Sequence, residues 1–206
     1  MTQRPAAQIL LIAVEETGRV LSEGRASDQD RITACDPWTV RDVLAHCSGS
    51  MLRTIEGRTH RFTPEDNEVD VQDRRSWPFN RVRDELQSTA ALTAARIDEA
   101  GGPLDGLGLG VWVHCGDIRD AMGIDDPYSG PGIDLGLKLL AERSRRLVFR
   151  PTVTVAGRNL EFGNGEPKGT LSADPETLVR LTGGRSPDPS RFRLEAVEPA
   201  ELVLFG

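Results

Sequence analysis

Val111-Trp112-Val113-His114-Cys115-Gly116-Asp117-Ile118-Arg119-Asp120 sets a histidine and an aspartate three residues apart inside an otherwise apolar run. The apolar positions recur at helical spacing, so the stretch reads as a buried helix carrying polar groups on one flank. An earlier stretch, Trp38-Thr39-Val40-Arg41-Asp42-Val43-Leu44-Ala45-His46-Cys47, has the same construction with a single histidine. The expectation is that these two helices face each other and that His46 and His114 share a metal.

Side-chain directions at about 100° per residue support that placement. In the earlier helix the apolar stripe is centred on Val40, Cys47 and Met51, and His46 falls on its flank beside Val43 and Ser50. In the later helix Leu107, Val111, Cys115, Ile118 and Met122 form the stripe, with Gly110, His114, Asp117 and Ala121 sharing one flank. Both histidines therefore lie at the border between core and solvent, where a ligand lining a cavity belongs. The competing reading is a hydrogen-bonded core histidine with no ligand. Cys47 and Cys115 directly follow the histidines but lie near the stripe centres, as small buried hydrophobes do. His60 reads as an exposed loop residue.

Outward from these two segments, the second helix has a start signal in Thr39 with Asp42 three residues on, a capping box. A first helix spans about Pro5 to Gly24, and a third about Pro78 to Ala100, ended by Gly101-Gly102-Pro103. The stretch from Glu56 to Trp77 shows no apolar periodicity and reads as a long charged loop. A fifth helix covers about Ile133 to Leu147. After Pro151 the period changes: Thr152 to Ala156 alternates as a strand, Gly157-Arg158-Asn159 as a hairpin turn, Leu160 to Phe162 as its return. Lys168 to Ser172 follows as a third strand, Asp174-Pro175 opens a short helix, and Phe192 to Phe205 supplies one or two more strands. The expected class is α+β, with a four-helix bundle over residues 1–148 and a small α+β domain over 149–206.

Charge and composition narrow the function. The net charge is −7 and the pI about 5.1, which argues against nucleic acid or an anionic membrane as partner. No run approaches the roughly 18 apolar residues that span a bilayer. Met1-Thr2-Gln3-Arg4-Pro5 lacks the apolar core of a secretory signal, so a cytoplasmic location is expected. Cys35, Cys47 and Cys115 are an odd number with no CxxC spacing, which excludes a disulfide framework and a zinc knuckle. Nucleophile elbow, phosphate loop and dinucleotide fingerprint are all absent.

The segments "WTVRDVLAHC" at 38–47, "VWVHCGDIRDAMG" at 111–123 and "DPETLVRLTGGR" at 174–185 resemble the mycothiol-dependent maleylpyruvate isomerase family. Arg74-Arg75 and Asp84-Glu85-Leu86 are similar to its middle region, so the resemblance covers nearly the whole chain. It implies a DinB-like four-helix bundle followed by a small α/β domain similar to sterol-carrier proteins. It also implies a divalent metal, usually zinc, with mycothiol as thiol cofactor and a small organic acid as substrate. The metal would be held by a histidine of the second helix, matching His46, and by a glutamate and a histidine four residues apart on the fourth, the opening stretch of about Gly108 to Met122. The histidine matches His114, and the glutamate position holds Gly110.

Three explanations compete for that departure. Asp117 substitutes as ligand, a carboxylate arrives from elsewhere (Glu85, or one of Glu65 and Asp66), or the site is degenerate. Asp117 has a second reading, as a partner orienting His114 or Arg119. By the same resemblance Arg185 would bind a carboxylate of the thiol cofactor or the substrate; its plainer reading is a solvated arginine at a helix C-terminus. The resemblance thus implies a metal- and mycothiol-dependent enzyme, a cis–trans isomerase or a thiol transferase. The alternative is a non-catalytic DinB-like binding protein with a degenerate metal site.

Overall fold

A computed structural model describes residues 2–58 and 63–205; His60 lies outside them. The chain divides into two compact units, Met1–Pro127 and Tyr128–Gly206, so the helix Ile133–Ser144 belongs with the sheet. The class is α+β, as expected: a helical unit followed by a small α/β unit.

In the first unit, helices α1 (Pro5–Glu23), α2 (Val40–Ile55), α3 (Pro64–Arg74), α4 (Phe79–Ala100) and α5 (Asp105–Ala121) follow in order. Four of them close a bundle in the cyclic order α1, α5, α2, α4, each packing on two neighbours. Each buries one apolar stripe, for example Ile9, Leu10, Ala13 and Val14 on α1 and Val82, Leu86 and Ile97 on α4. The α1–α5 approach is close because position 108 is glycine: a Cβ there would lie 2.1 Å from the Ala6 carbonyl oxygen. The α2–α5 contact brings the two histidine-bearing helices together.

Helix α3 lies inside the stretch expected to be loop. Its local signal is the pair Thr63-Pro64: the Thr63 hydroxyl accepts the Asp66 amide, and Pro64 occupies the first turn. It shows no apolar stripe because its buried residues are Asp70, Val71 and Arg74. The helix docks on α2 through charge and hydrogen bonds.

The second unit carries α6 (Ile133–Ser144), α7 (Pro175–Thr182) and four strands: β1 (Phe149–Val155), β2 (Arg158–Leu160), β3 (Glu166–Ala173) and β4 (Phe192–Glu195). The sheet order is β2-β1-β3-β4, with β1 and β3 parallel and the outer pairings antiparallel. The β1–β2 turn is Ala156-Gly157, both at positive φ, one residue earlier than the sequence reading. A two-residue turn of that kind matches the strand twist. After β4 the chain makes a short 3-10 turn at Pro199–Leu202 instead of a further strand. Val153, Val155 and Leu171 of the sheet and Leu178, Val179 and Leu181 of α7 are buried.

Candidate metal centre

His46 is set in mid-α2 and His114 in mid-α5, and their rings meet edge to face with centroids 5.2 Å apart. Trp38, just before α2, lies 5.1 Å from the His46 ring and 6.5 Å from that of His114. Its indole N–H donates to Glu68 Oε2 of α3 at 3.3 Å. His46 is buried, whereas the His114 side chain keeps a fifth of its surface exposed.

Each histidine has an aspartate at its Nδ1. On α5, one turn on from His114, Asp117 places Oδ2 at 3.1 Å from His114 Nδ1 and is fully buried. On the other side, Asp70 of α3 places Oδ2 at 3.3 Å from His46 Nδ1. Asp70 also accepts the Ser50 hydroxyl at 3.1 Å and pairs with the Arg53 guanidinium. The residues gripping it, His46, Ser50 and Arg53, recur at one helical face of α2. Gly49 on that face makes room: a Cβ there would lie 2.3 Å from Asp70 Oδ1.

The third group at His114 and Asp117 is Cys35. Its thiol donates to Asp117 Oδ2 at 3.1 Å, and its sulfur lies 3.6 Å from His114 Nδ1. Cys35, His114 and Asp117 each offer a ligand atom within 4.8 Å of the others, a grouping that can hold a metal ion. Tetrahedral zinc with Zn–S of about 2.3 Å and Zn–N or Zn–O of about 2.0 Å needs ligand separations of roughly 3.3–3.6 Å. Edges of 3.1, 3.1 and 3.6 Å therefore fit a zinc-sized ion with small adjustments.

Of the expected site residues, the structure brings His46, His114 and Asp117 into one neighbourhood. His46 Nδ1 faces Asp70, which fixes the orientation of its ring. Gly110 leaves open space, since a Cβ there meets nothing within 4 Å. Glu85 is not the incoming carboxylate; it pairs with Arg74. Glu65 is exposed on the first turn of α3, and Asp66 uses its backbone carbonyl to accept from Arg53. The carboxylate that does come from that stretch is Asp70, which sequence reasoning missed because α3 itself was missed. Cys35 was read only as part of a cysteine count. Its signal, a thiol four residues before a helix cap, is weak without the fold.

Arg185 lies in the second unit, half-buried, just past α7. Its backbone N–H caps Arg180 O at 2.8 Å and its guanidinium turns back onto the Gly183 carbonyl, as a helix-terminal arginine does. Cys47 and Cys115 are buried, as their stripe positions predicted. Burial pushes both thiols up, most strongly Cys47, where Cys115, Asp117, Cys35 and Asp70 add negative charge. None of the three cysteines is disulfide-bonded.

No protein-family model matches the chain. No curated protein matches it by sequence. Among solved structures it is similar to the crystal structure of the mycothiol-dependent maleylpyruvate isomerase, with a TM-score of 0.58 over 94% of this chain and 92% of that one. A histidine-to-alanine mutant of that enzyme matches over the same shares with a TM-score of 0.55. The identities are 12% and 11%, so the likeness is one of fold. Among the described residues no helix is long and apolar enough to cross a membrane.

Proposed function

We propose that the protein binds a divalent metal at His114, Asp117 and His46, with Cys35 beside them, and uses it with a small thiol such as mycothiol to act on a small organic acid. The observation that carries this reading is the Cys35–His114–Asp117 triangle, of metal-ligand dimensions, in a fold similar to that of a thiol-dependent isomerase. A bound metal, zinc by its mixed sulfur, nitrogen and oxygen donors, would hold a thiol as thiolate, and that thiol supplies reversible addition to the cis double bond of a maleylpyruvate-like diacid or transfer to another acceptor.

The chain's own residues supply placement. Asp70, fixed by Ser50 and Arg53, holds the His46 ring so that Nε2 points away from α3. Asp117, fully buried, either ligates beside His114 or orients its ring. Trp38 sets its ring beside both histidines, 5.1 Å from His46 and 6.5 Å from His114. The net charge of −7 suits small molecules better than nucleic acid or an anionic membrane, and a cytoplasmic setting suits a free thiol.

A second reading, a binding protein without catalysis, is favoured by Gly110 alone, which offers no carboxylate one turn before His114. Metal analysis of untagged protein separates the two. About one equivalent of metal in the wild type, lost in His114→Ala, is expected. No stoichiometric metal in the wild type defeats the metal-dependent enzyme, and full retention by His114→Ala defeats the ligand assignment.

A further inference from the structure

The bundle helices supply the two histidines and both aspartates, or dock them from α3, but the sulfur comes from the loop before α2. That loop is fixed by its backbone. Ile32 pairs with Thr39, the Thr33 N–H donates to Trp38 O at 3.0 Å, and the Trp38 N–H donates to Cys35 O at 2.9 Å. The Cys35 N–H itself donates to the Thr33 hydroxyl at 3.1 Å. A sulfur held this way loses little conformational freedom on taking a ligand role.

We propose that Cys35 is a protein thiolate ligand of the metal at His114 and Asp117, holding in the resting protein the coordination position that an external thiol takes. The inference rests on the metal reading above. Three features carry it. The Cys35 Sγ to His114 Nδ1 separation of 3.6 Å equals the edge expected between sulfur and nitrogen on one tetrahedral zinc, about 3.6 Å. Cys47 and Cys115 are buried in the apolar stripes, so Cys35 is the cysteine presented to the site. Zinc prefers thiolate among protein donors, so a sulfur within reach of the ion displaces water. An external thiol would bind by exchange: its sulfur bonds the metal as the Cys35–metal bond breaks, its proton passes to the released Cys35 thiolate, and the loop sulfur acts as an internal competitor.

Cobalt tests this, because thiolate ligation gives Co²⁺ a near-ultraviolet charge-transfer band that nitrogen and oxygen ligands do not. Full-length wild-type protein loaded with Co²⁺ is expected to show the band. Cys35→Ser is expected to keep cobalt and lose the band, and 2-mercaptoethanol should restore it at a concentration at least tenfold below that which perturbs the wild type. A band unchanged in cobalt-loaded Cys35→Ser overturns the proposal, as does an identical thiol response of the two proteins. A wild type that takes up cobalt without the band overturns the Cys35 role alone, whereas failure to take up cobalt overturns the metal reading with it. An arm without a variant uses iodoacetamide and mass spectrometry on the wild type. Metal should protect Cys35 from alkylation at least tenfold, and equal modification with and without metal overturns the proposal.

Discussion

Asp70 comes within 2.3 Å of where a Cβ on residue 49 would stand, so this buried carboxylate reaches His46, Ser50 and Arg53 only because that residue is glycine. Gly49→Ala is expected to destabilise the protein by about 1–3 kcal/mol, since the displaced group is buried and charge-paired. Urea unfolding checks this, and the loss should shrink when Asp70→Ala is also present. Cys47 and Cys115 make a pH prediction. Burial raises both thiols, so the folded state keeps their protons where the unfolded chain, near pH 8.5, gives them up. Their contribution is fully present below about pH 8.5 and is lost as pH rises above it, at up to about 1.4 kcal/mol per pH unit for each thiol. Denaturation midpoints measured from pH 7 to 10 should fall, and Cys47→Ala should flatten the fall. The histidines, Asp117 and the buried cysteines were legible from helix-face arithmetic. Asp70 and Cys35 were not, because neither sits on an apolar period and each arrives from a segment whose path only the fold defines.

Helix α2 carries the clearest local signal in the chain. The Thr39 side chain accepts the Asp42 amide, and the Asp42 carboxylate accepts the Thr39 amide at 3.0 Å, the capping box read from sequence. Thr39→Ala should cost about 1 kcal/mol in thermal or chemical unfolding, and Thr39→Ser should recover most of it. α3 shows the opposite case. Its buried face is Asp70, Val71 and Arg74, with Arg74 paired to Glu85 of α4, so a search for apolar periodicity passes over it. The Thr63-Pro64 cap was the available sign. β1 and β3 were each visible as alternating strands, but their parallel pairing across an intervening hairpin is a long-range fact that no local period encodes.

The architecture follows from apolar stripes that each need a partner: four in the bundle, and a four-stranded sheet with two helices in the second unit. That much was legible in the sequence as a change of period near Pro151, although α6, read as a bundle helix, falls in the second unit because the division comes at Pro127. The proposed site lies at one place in the first unit, where α2, α5, α3 and the loop before α2 contribute His46, His114, Asp117, Asp70 and Cys35. A diffraction experiment at the zinc edge, on crystals grown with zinc, locates any bound ion by its anomalous signal. We expect one strong peak at about 2.0–2.3 Å from Cys35 Sγ, His114 Nδ1, Asp117 Oδ2 and a ring nitrogen of His46. A zinc peak elsewhere on the chain, or none at saturating zinc, would show that this cluster is not a metal centre.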